Sequence, residues 1–361
     1  MRAVVVGGGI GGLCAALALR RAGWDVTVRE RAPAFEPVGA GITLQANALA
    51  GLDALGVGDA VRALGRVDAP GGTRTPDGRW LARIDAAALE AQLGTAALGI
   101  HRASLHQILR AALPAADLVA GSVVSEVPSG VDLVVGADGI DSTIRRLLWP
   151  GTPAVYAGST TWRGVTDGPW TGALSVAITW GRGTEFGMVP MGDGRVYWFA
   201  AVTAPEGTRF ADDAAEVRRI FGRWHEPIPA LLAATSTVLH HDLRYLRDPL
   251  PSYVRGPVAL LGDAAHAMTP NLGQGAAQAI EDAVVLGLCC PAGRPVAEGL
   301  AEYDARRRPR SQAVARASYR VGRFGQQLSN PLLIAARNAA MRWTPPRVAL
   351  RSMARYAAWR P

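Results

Sequence analysis

The hydrophobic pattern opens with a short β-branched run. Arg2–Val6 reads RAVVV, apolar after its first residue, which predicts a strand buried on both faces. Ile10 to Ala22 is rich in Ala and Leu and predicts a helix that Gly23 ends. Asp25 to Arg29 alternates polar and apolar, a second strand. This β-α-β order is the opening unit of a doubly wound sheet. Residues 39–64 then carry a Gly-rich turn and a helical segment around Asn47 to Leu55, and 66–85 read as short strands. A helix follows from His101 to Leu113, then a buried strand at Val131–Gly136. Residues 154–204 change character. They are rich in Thr, Val, Trp and Tyr, punctuated by Gly, and predict several antiparallel strands. Residues 212–234 are helical, Val258–Leu261 returns to a buried strand, and 273–290 is helical. From 296 onward the pattern is mostly helical with Arg-rich faces, and breaks are expected at Pro309, Pro331 and Pro345-Pro346.

This order predicts an α/β protein. A Rossmann-like cofactor domain is discontinuous over 1–65, 100–150 and 256–295. A β-rich substrate domain is inserted as 66–99 and 151–255, and 296–361 forms a helical C-terminal region. At 361 residues and 49% hydrophobic content the chain can bury a core of that size. Its three cysteines, Cys14, Cys289 and Cys290, make neither a disulfide framework nor a metal spacing, so a reducing, cytoplasmic setting is expected and no metal. Gly7-Gly8-Gly9 interrupts the first apolar run, so no secretory leader is expected, and no apolar run is long enough to predict a spanning helix. The net charge of +8 is uneven: 301–361 carries 13 Arg against Glu302 and Asp304, leaving the first 300 residues at −3. A basic tail can meet nucleic acid or an anionic surface. No nucleic-acid motif accompanies it, and a solvated helical face is the plainer expectation.

Three motifs carry the chemistry. Gly7-x-Gly9-x-x-Gly12 follows a strand and opens a helix. Gly7 would allow the tight turn, Gly9 the approach of a pyrophosphate, and Gly12 close helix–strand packing, with the helix N-terminus receiving the negative charge. Glu30 lies 18 residues past Gly12, where a carboxylate can accept both hydroxyls of an adenosine ribose and repel a 2′-phosphate. The second motif is Val134-Val135-Gly136-Ala137-Asp138-Gly139 with Ser142 and Arg145, by itself an ordinary strand–turn. The third runs from Ala259 to Asp282. Asp263 stands at a strand end, suited to a ribityl or ribose hydroxyl. Gly273-Gln274-Gly275 leaves amides bare at a helix start, suited to an edge that gains negative charge.

Together, and in this order, these motifs resemble those of the group A flavoprotein monooxygenases, the p-hydroxybenzoate hydroxylase-like family. The likeness spans nearly the whole chain. Its nearest members are small salicylate-, 3-hydroxybenzoate- and urate-hydroxylase-like and zeaxanthin epoxidase-like proteins. The resemblance implies FAD, contacted by Gly7, Gly9, Gly11, Gly12, Glu30, Arg31, Thr43, Arg102, Val124, Asp138, Gly139, Gly262, Asp263, Gly273, Gln274, Gly275 and Ala276. It further implies NADPH or NADH as donor, O2, and oxygen transfer from a flavin C4a-hydroperoxide near Pro270 to an aromatic or other electron-rich small molecule. A monomer or homodimer is expected. Epoxidation of an isoprenoid or polyene, or a flavin-dependent reductase or dehydrogenase without oxygen transfer, are the alternatives. Two departures stand out. Leu118 to Asp132 is short where relatives run an extra hairpin. Twelve residues before Tyr197, where urate-hydroxylating relatives carry an Arg, stands Glu185, which argues against urate.

On the substrate side, Tyr197 could hydrogen-bond a substrate phenol or simply pack in its strand, and Arg163 could face an acidic substrate or sit in a surface ion pair. Trp162, Trp180, Phe186 and Met188 either wall an apolar pocket or fill the core. His266 is expected to make a structural hydrogen bond, and Asp282 to brace the loop before it.

Overall fold

The computed structural model describes residues 1–35, 39–65 and 71–361; the start of the strand region expected over 66–85 lies outside them. Its first layer is a six-stranded sheet in the order Val254–Arg255, Val258–Leu260, Leu133–Gly136, Arg2–Val6, Asp25–Arg29, Leu118–Val119. Neighbours run parallel except for the hairpin at 254–260. The sheet is therefore assembled from the N-terminal, middle and late segments of the chain, as the three buried strand runs predicted. Ala3, Val4, Val5 and Val6 are all buried, the signature of a strand covered on both faces.

Helices Ile10–Arg21 and Gly275–Cys289 lie against each other, and their small residues set the separation. A Cβ on Gly11 would stand 2.9 Å from Leu261 Cδ1 and 3.2 Å from Ala279 Cβ, and one on Gly287 would stand 2.9 Å from Ala18 Cβ. Leu13, Leu19, Leu260, Ile280 and Leu286 fill the core around them. Cys14, Cys289 and Cys290 are free thiols buried in this core; burial pushes the Cys14 thiol well up, so it behaves as a small hydrophobe.

The second layer is a seven-stranded sheet, ordered Val238–Tyr245, Val155–Val165, Val196–Thr203, Thr184–Pro190, Val176–Trp180, Gly71–Arg74, Trp80–Ile84. Its register sorts side chains onto two faces, because residues opposite each other across a ladder share a face. Trp162 pairs with Ala200, Phe186 also with Ala200, and Met188 with Trp198. This face packs on the helices Asp213–Phe221 and Ile228–Ala233 through Val217, Phe221, Ile228 and Leu231. Three of the four residues considered as pocket walls, Trp162, Phe186 and Met188, are thus core; burying each contributes about 2 kcal/mol or more. The opposite face carries Arg163, Val165, Tyr197, Phe199, Glu185, Gly187 and Trp180.

Two helical expectations change. The segment 212–234 divides into two helices, with Gly222 closing the first and Pro227 preceding the second. Conversely, Pro309 does not break its helix, which runs unbroken from Val296 to Phe324. Proline removes the hydrogen bond to the carbonyl of Ala305. Both residues lie on the exposed side, so water can take that carbonyl. The two further helices, Pro331–Trp343 and Pro346–Ala357, start at the expected prolines. No helix of the described residues is long and apolar enough to cross a membrane.

Candidate active site

The cofactor cradle is built by glycines that tertiary contacts demand. Gly7 has φ +109°, and a Cβ there would lie 2.3 Å from the Ala137 carbonyl oxygen. A Cβ on Gly12 would lie 1.9 Å from the Gly7 carbonyl oxygen. No side chain could replace hydrogen at either position. Gly9, Gly139 and Gly275 behave differently: nothing stands within 4 Å of a Cβ placed on any of them. Their bare backbones line open space. Helices Ile10–Arg21 and Gly275–Cys289 both begin without a side-chain cap, leaving their first amides free for an anion.

Glu30 sits at the end of its strand, half-buried, and its carboxylate accepts from Gly8 N at 2.6 Å and Ala32 N at 2.9 Å. His106 Nε2 meets the Gly8 carbonyl at 2.8 Å, fixing the same turn. Arg31 is exposed and Val124 half-buried in the irregular segment after Val119, which carries no hairpin. Thr43 lies half-buried on the strand Gly41–Leu44.

Asp138 also has a structural task. Its carboxylate accepts from Ser142 Oγ at 2.5 Å, Thr143 N at 2.6 Å and Ile144 N at 3.2 Å. Those bonds hold the start of the helix Thr143–Leu148. Arg145, 1% exposed, donates to the carbonyls of Ile140 at 2.5 Å, Thr152 at 3.2 Å, Ala264 at 3.0 Å and Asp263 at 3.4 Å. One guanidinium thereby fastens the second motif to the third.

The third motif is itself braced from beneath. Gly262, φ +59°, turns the chain, and Asp263 opens a single helical turn with its side chain exposed. Asp282 Oδ2 accepts from Gly262 N at 2.9 Å and from His266 Nε2 at 2.5 Å. Arg307 Nε donates to Asp282 Oδ1 at 2.7 Å and its Nη1 to Glu281 at 2.5 Å. Burial pushes the Asp282 carboxyl up, but the charges of His266 and Arg307 and the two hydrogen bonds bring it down to about 2. Asn47 donates to Gln274 Oε1 at 2.8 Å and to Glu281 Oε1 at 2.7 Å, and Gln45 donates to the Leu272 carbonyl at 2.8 Å. Gln274 is therefore a buried support of the loop, with its side chain spent inside, while Gly273, φ +63°, is exposed and Ala276 half-buried. Pro270 is exposed at the head of the short turn Pro270–Leu272.

Opposite this loop stands the open face of the second sheet. Gly41 packs directly on Tyr197, since a Cβ there would meet its Cβ and Cγ at 2.4 Å. Arg102 feels the charges of Asp263, Arg163 and Tyr197 together; the surrounding protein lowers its pKa, Asp263 opposes this and Arg163 adds to it. Its side chain is nonetheless open to solvent within the cleft, and a guanidinium stays charged there. Burial raises the Tyr197 phenol, against the pull of Arg163 and Arg102. Glu185 is 4% exposed and accepts from Trp180 Nε1 at 2.7 Å. Burial lifts its carboxyl to about 7, with the Trp180 bond pulling the other way. The fold thus gathers Arg102, Asp263, Arg163 and Tyr197 from four distant segments. Sequence reasoning missed Gln45, Asn47, Gln278 and Arg307, which act from beneath the loop, three of them through Gln274, and have no local pattern.

A cradle of bare glycine backbones, a carboxylate at the end of the second strand, and a third glycine turn at an uncapped helix fit an extended dinucleotide. The model of the FAD binding domain family matches residues 1–119 and 130–318. The chain belongs to this family. It is an FAD-dependent monooxygenase of group A, which typically draws on NAD(P)H. It is 40% identical to the aurachin C monooxygenase/isomerase of Stigmatella aurantiaca, over 90% of this chain and 89% of that one. It is 33% identical to the 2-heptyl-3-hydroxy-4(1H)-quinolone synthase of Pseudomonas aeruginosa, over 96% and 94%. Its structure is similar to that of Klebsiella pneumoniae HpxO complexed with FAD and uric acid, with TM-score 0.90 and 28% identity, covering 99% of this chain and 96% of that one.

Proposed function

We propose that this monooxygenase hydroxylates a neutral, N–H-bearing fused aromatic ring of the 4-quinolone type, using NAD(P)H and O2. The observation that carries this reading is Glu185. It lies on the same sheet face as Arg163 and Tyr197, buried, with its carboxyl near neutrality. A carboxyl in that state donates to a ring carbonyl when protonated or accepts from a ring N–H when ionised, and it supplies no positive charge for a carboxylate or a urate anion. The relative named for a 3-hydroxy-4(1H)-quinolone product supports the same class.

The cofactor residues divide the work. FAD, when bound, supplies two-electron reduction by the donor and the activation of O2. The uncapped helix at Ile10 receives the pyrophosphate, Glu30 the adenosine ribose and Asp263 the ribityl chain. The amides at Gly275 and Ala276 would hold the ring edge that gains charge on reduction. Tyr197, kept protonated by burial, donates a hydrogen bond to the substrate oxygen. Arg163 stabilises negative charge as that oxygen pushes electrons into the ring. Pro270 borders the face where oxygen reacts. We assign 1–65, 100–150 and 256–295 to the cofactor domain and 66–99 with 151–255 to the substrate domain, in a cytoplasmic enzyme.

The test is a panel of 4-quinolones, phenols, salicylate and urate given to the FAD-loaded protein. NAD(P)H oxidation stimulated by a 4-quinolone, with one atom from 18O2 in the product, is expected. Stimulation by salicylate or urate with none by quinolones would overturn the assignment.

A further inference from the structure

A cavity of about 200 Å³ lies apart from the cofactor cradle, between the segment Tyr245–Pro249, the stretch Ala265–Ala267 and the middle of helix Val296–Phe324. Its charge is one-sided. Arg247, Arg316 and Arg320 line it. Arg247 has its neighbour Asp248 at 3.4 Å, both largely exposed; Arg316 and Arg320 make no ion pair or hydrogen bond among the described residues. They stand four residues apart on one helix face, an arrangement of like charges that costs free energy unless an anion sits between them. The walls are mostly apolar, and Tyr245 and Tyr319 stack at 5.0 Å and 17° beside them.

A second feature is buried in the same wall. His266 is 3% exposed; Asp282 engages its Nε2, and its Nδ1 has no partner. An unpartnered buried nitrogen costs about 1–3 kcal/mol. That nitrogen is closed off from solvent, so His266 lines the cavity as a wall. Guanidiniums for phosphate, stacked rings, apolar walls and one buried imidazole describe a site for a phosphorylated sugar. The volume accepts that much and excludes a whole dinucleotide. The three glycine motifs of the first layer are assigned to FAD, so the donor needs other contacts. We propose that this cavity holds the ribose-phosphate portion of the nicotinamide dinucleotide donor, through Arg316, Arg320 and Arg247, with His266 on the sugar side. The proposal rests on the reading of the chain as an NAD(P)H-using monooxygenase. It also has a structural consequence: Asp282 Oδ2 holds both His266 Nε2 and Gly262 N, so an occupant at His266 abuts the support of the Asp263 turn.

The experiment uses the FAD-loaded full chain and the double substitution Arg316→Ala/Arg320→Ala, two exposed positions outside the cofactor and substrate machinery. Calorimetric titrations of NADP+, NAD+, AMP and inorganic phosphate need no aromatic substrate. Wild-type protein is expected to bind the oxidised donor, with AMP competing. The double variant should bind at least tenfold more weakly with full flavin content, and Arg316→Lys/Arg320→Lys should recover much of the affinity. In turnover, the variant's KM for the donor should rise at least tenfold with kcat within twofold. Unchanged donor affinity, loss of FAD in step with donor, or binding of inorganic phosphate alone would each overturn the proposal. Donor binding that depends on these arginines, in a protein that hydroxylates no quinolone, would sink the substrate assignment and leave this one standing.

Discussion

Replacing Glu185 by Gln tests the buried carboxyl on which the proposed substrate class rests. Its folded pKa of about 7 lies above the 4.5 of an unperturbed glutamate, because burial disfavours the charged form. The folded state therefore holds this proton more tightly than the unfolded chain. Wild-type stability should be full below about pH 4.5, decline as pH rises towards 7, and level off above. Two and a half pKa units correspond to about 3 kcal/mol at pH 8.5, against somewhat under ~1 kcal/mol at pH 5. Gln keeps an oxygen for the Trp180 N–H and carries no charge, so its stability should show none of this dependence. For 361 residues the unfolding entropy is about 0.75 kcal/mol/K, so Glu185→Gln should gain about 3 °C in thermal midpoint on wild type between pH 5 and pH 8.5. The assay is scanning fluorimetry of both proteins at saturating FAD across that range. A midpoint difference independent of pH would refute the reasoning, since it would mean that Glu185 is ionised and solvated in the folded protein.

Other outcomes follow from the same geometry. Gly12→Ala should cost more than ~3 kcal/mol or yield no flavoprotein, because its Cβ would stand 1.9 Å from the Gly7 carbonyl oxygen; a normal flavin-to-protein absorbance ratio would contradict this. Asp282, held at about 2, should contribute about 2 kcal/mol above pH 4 that disappears as pH falls through 2. Asp282→Asn should be destabilised at neutral pH, leaving Arg307 with Glu281 as its one carboxylate, and should show a shallower acid decline when midpoints are followed from pH 5 to 2.5. Tyr197→Phe should slow product formation about tenfold or more while retaining FAD, and equal activity in both proteins would return Tyr197 to a packing role.

The cofactor half of the site was legible because its requirements are local and steric. A turn that allows only hydrogen at Gly7 and Gly12 leaves glycine in the sequence, and a bare helix start leaves it at Gly275. Asp138 shows the limit of this legibility. The residue is in its expected place, yet whether its carboxylate turns to a cofactor or to Ser142 and Thr143 depends on the following helix. Pro309 shows another: a helix breaker by its own chemistry, it is tolerated because the carbonyl it strands faces water.

By itself, the sequence determined the β-α-β opening, the discontinuous cofactor layer, the three glycine turns and the flavoprotein family they resemble. Only the tertiary structure decided which side of the second sheet faces the cofactor. The strand TEFGMVP carries apolar residues on both faces, so its alternation is silent, and the ladder register alone sends Phe186 and Met188 to the core and Glu185 to the opposite face. Of the buried brace, the sequence placed Asp282 and His266, which do hold the loop, whereas Asn47, Glu281 and Arg307 were invisible. Its partners are far apart in the chain, and a buried charge reveals its purpose only when the opposite charge that satisfies it is brought alongside.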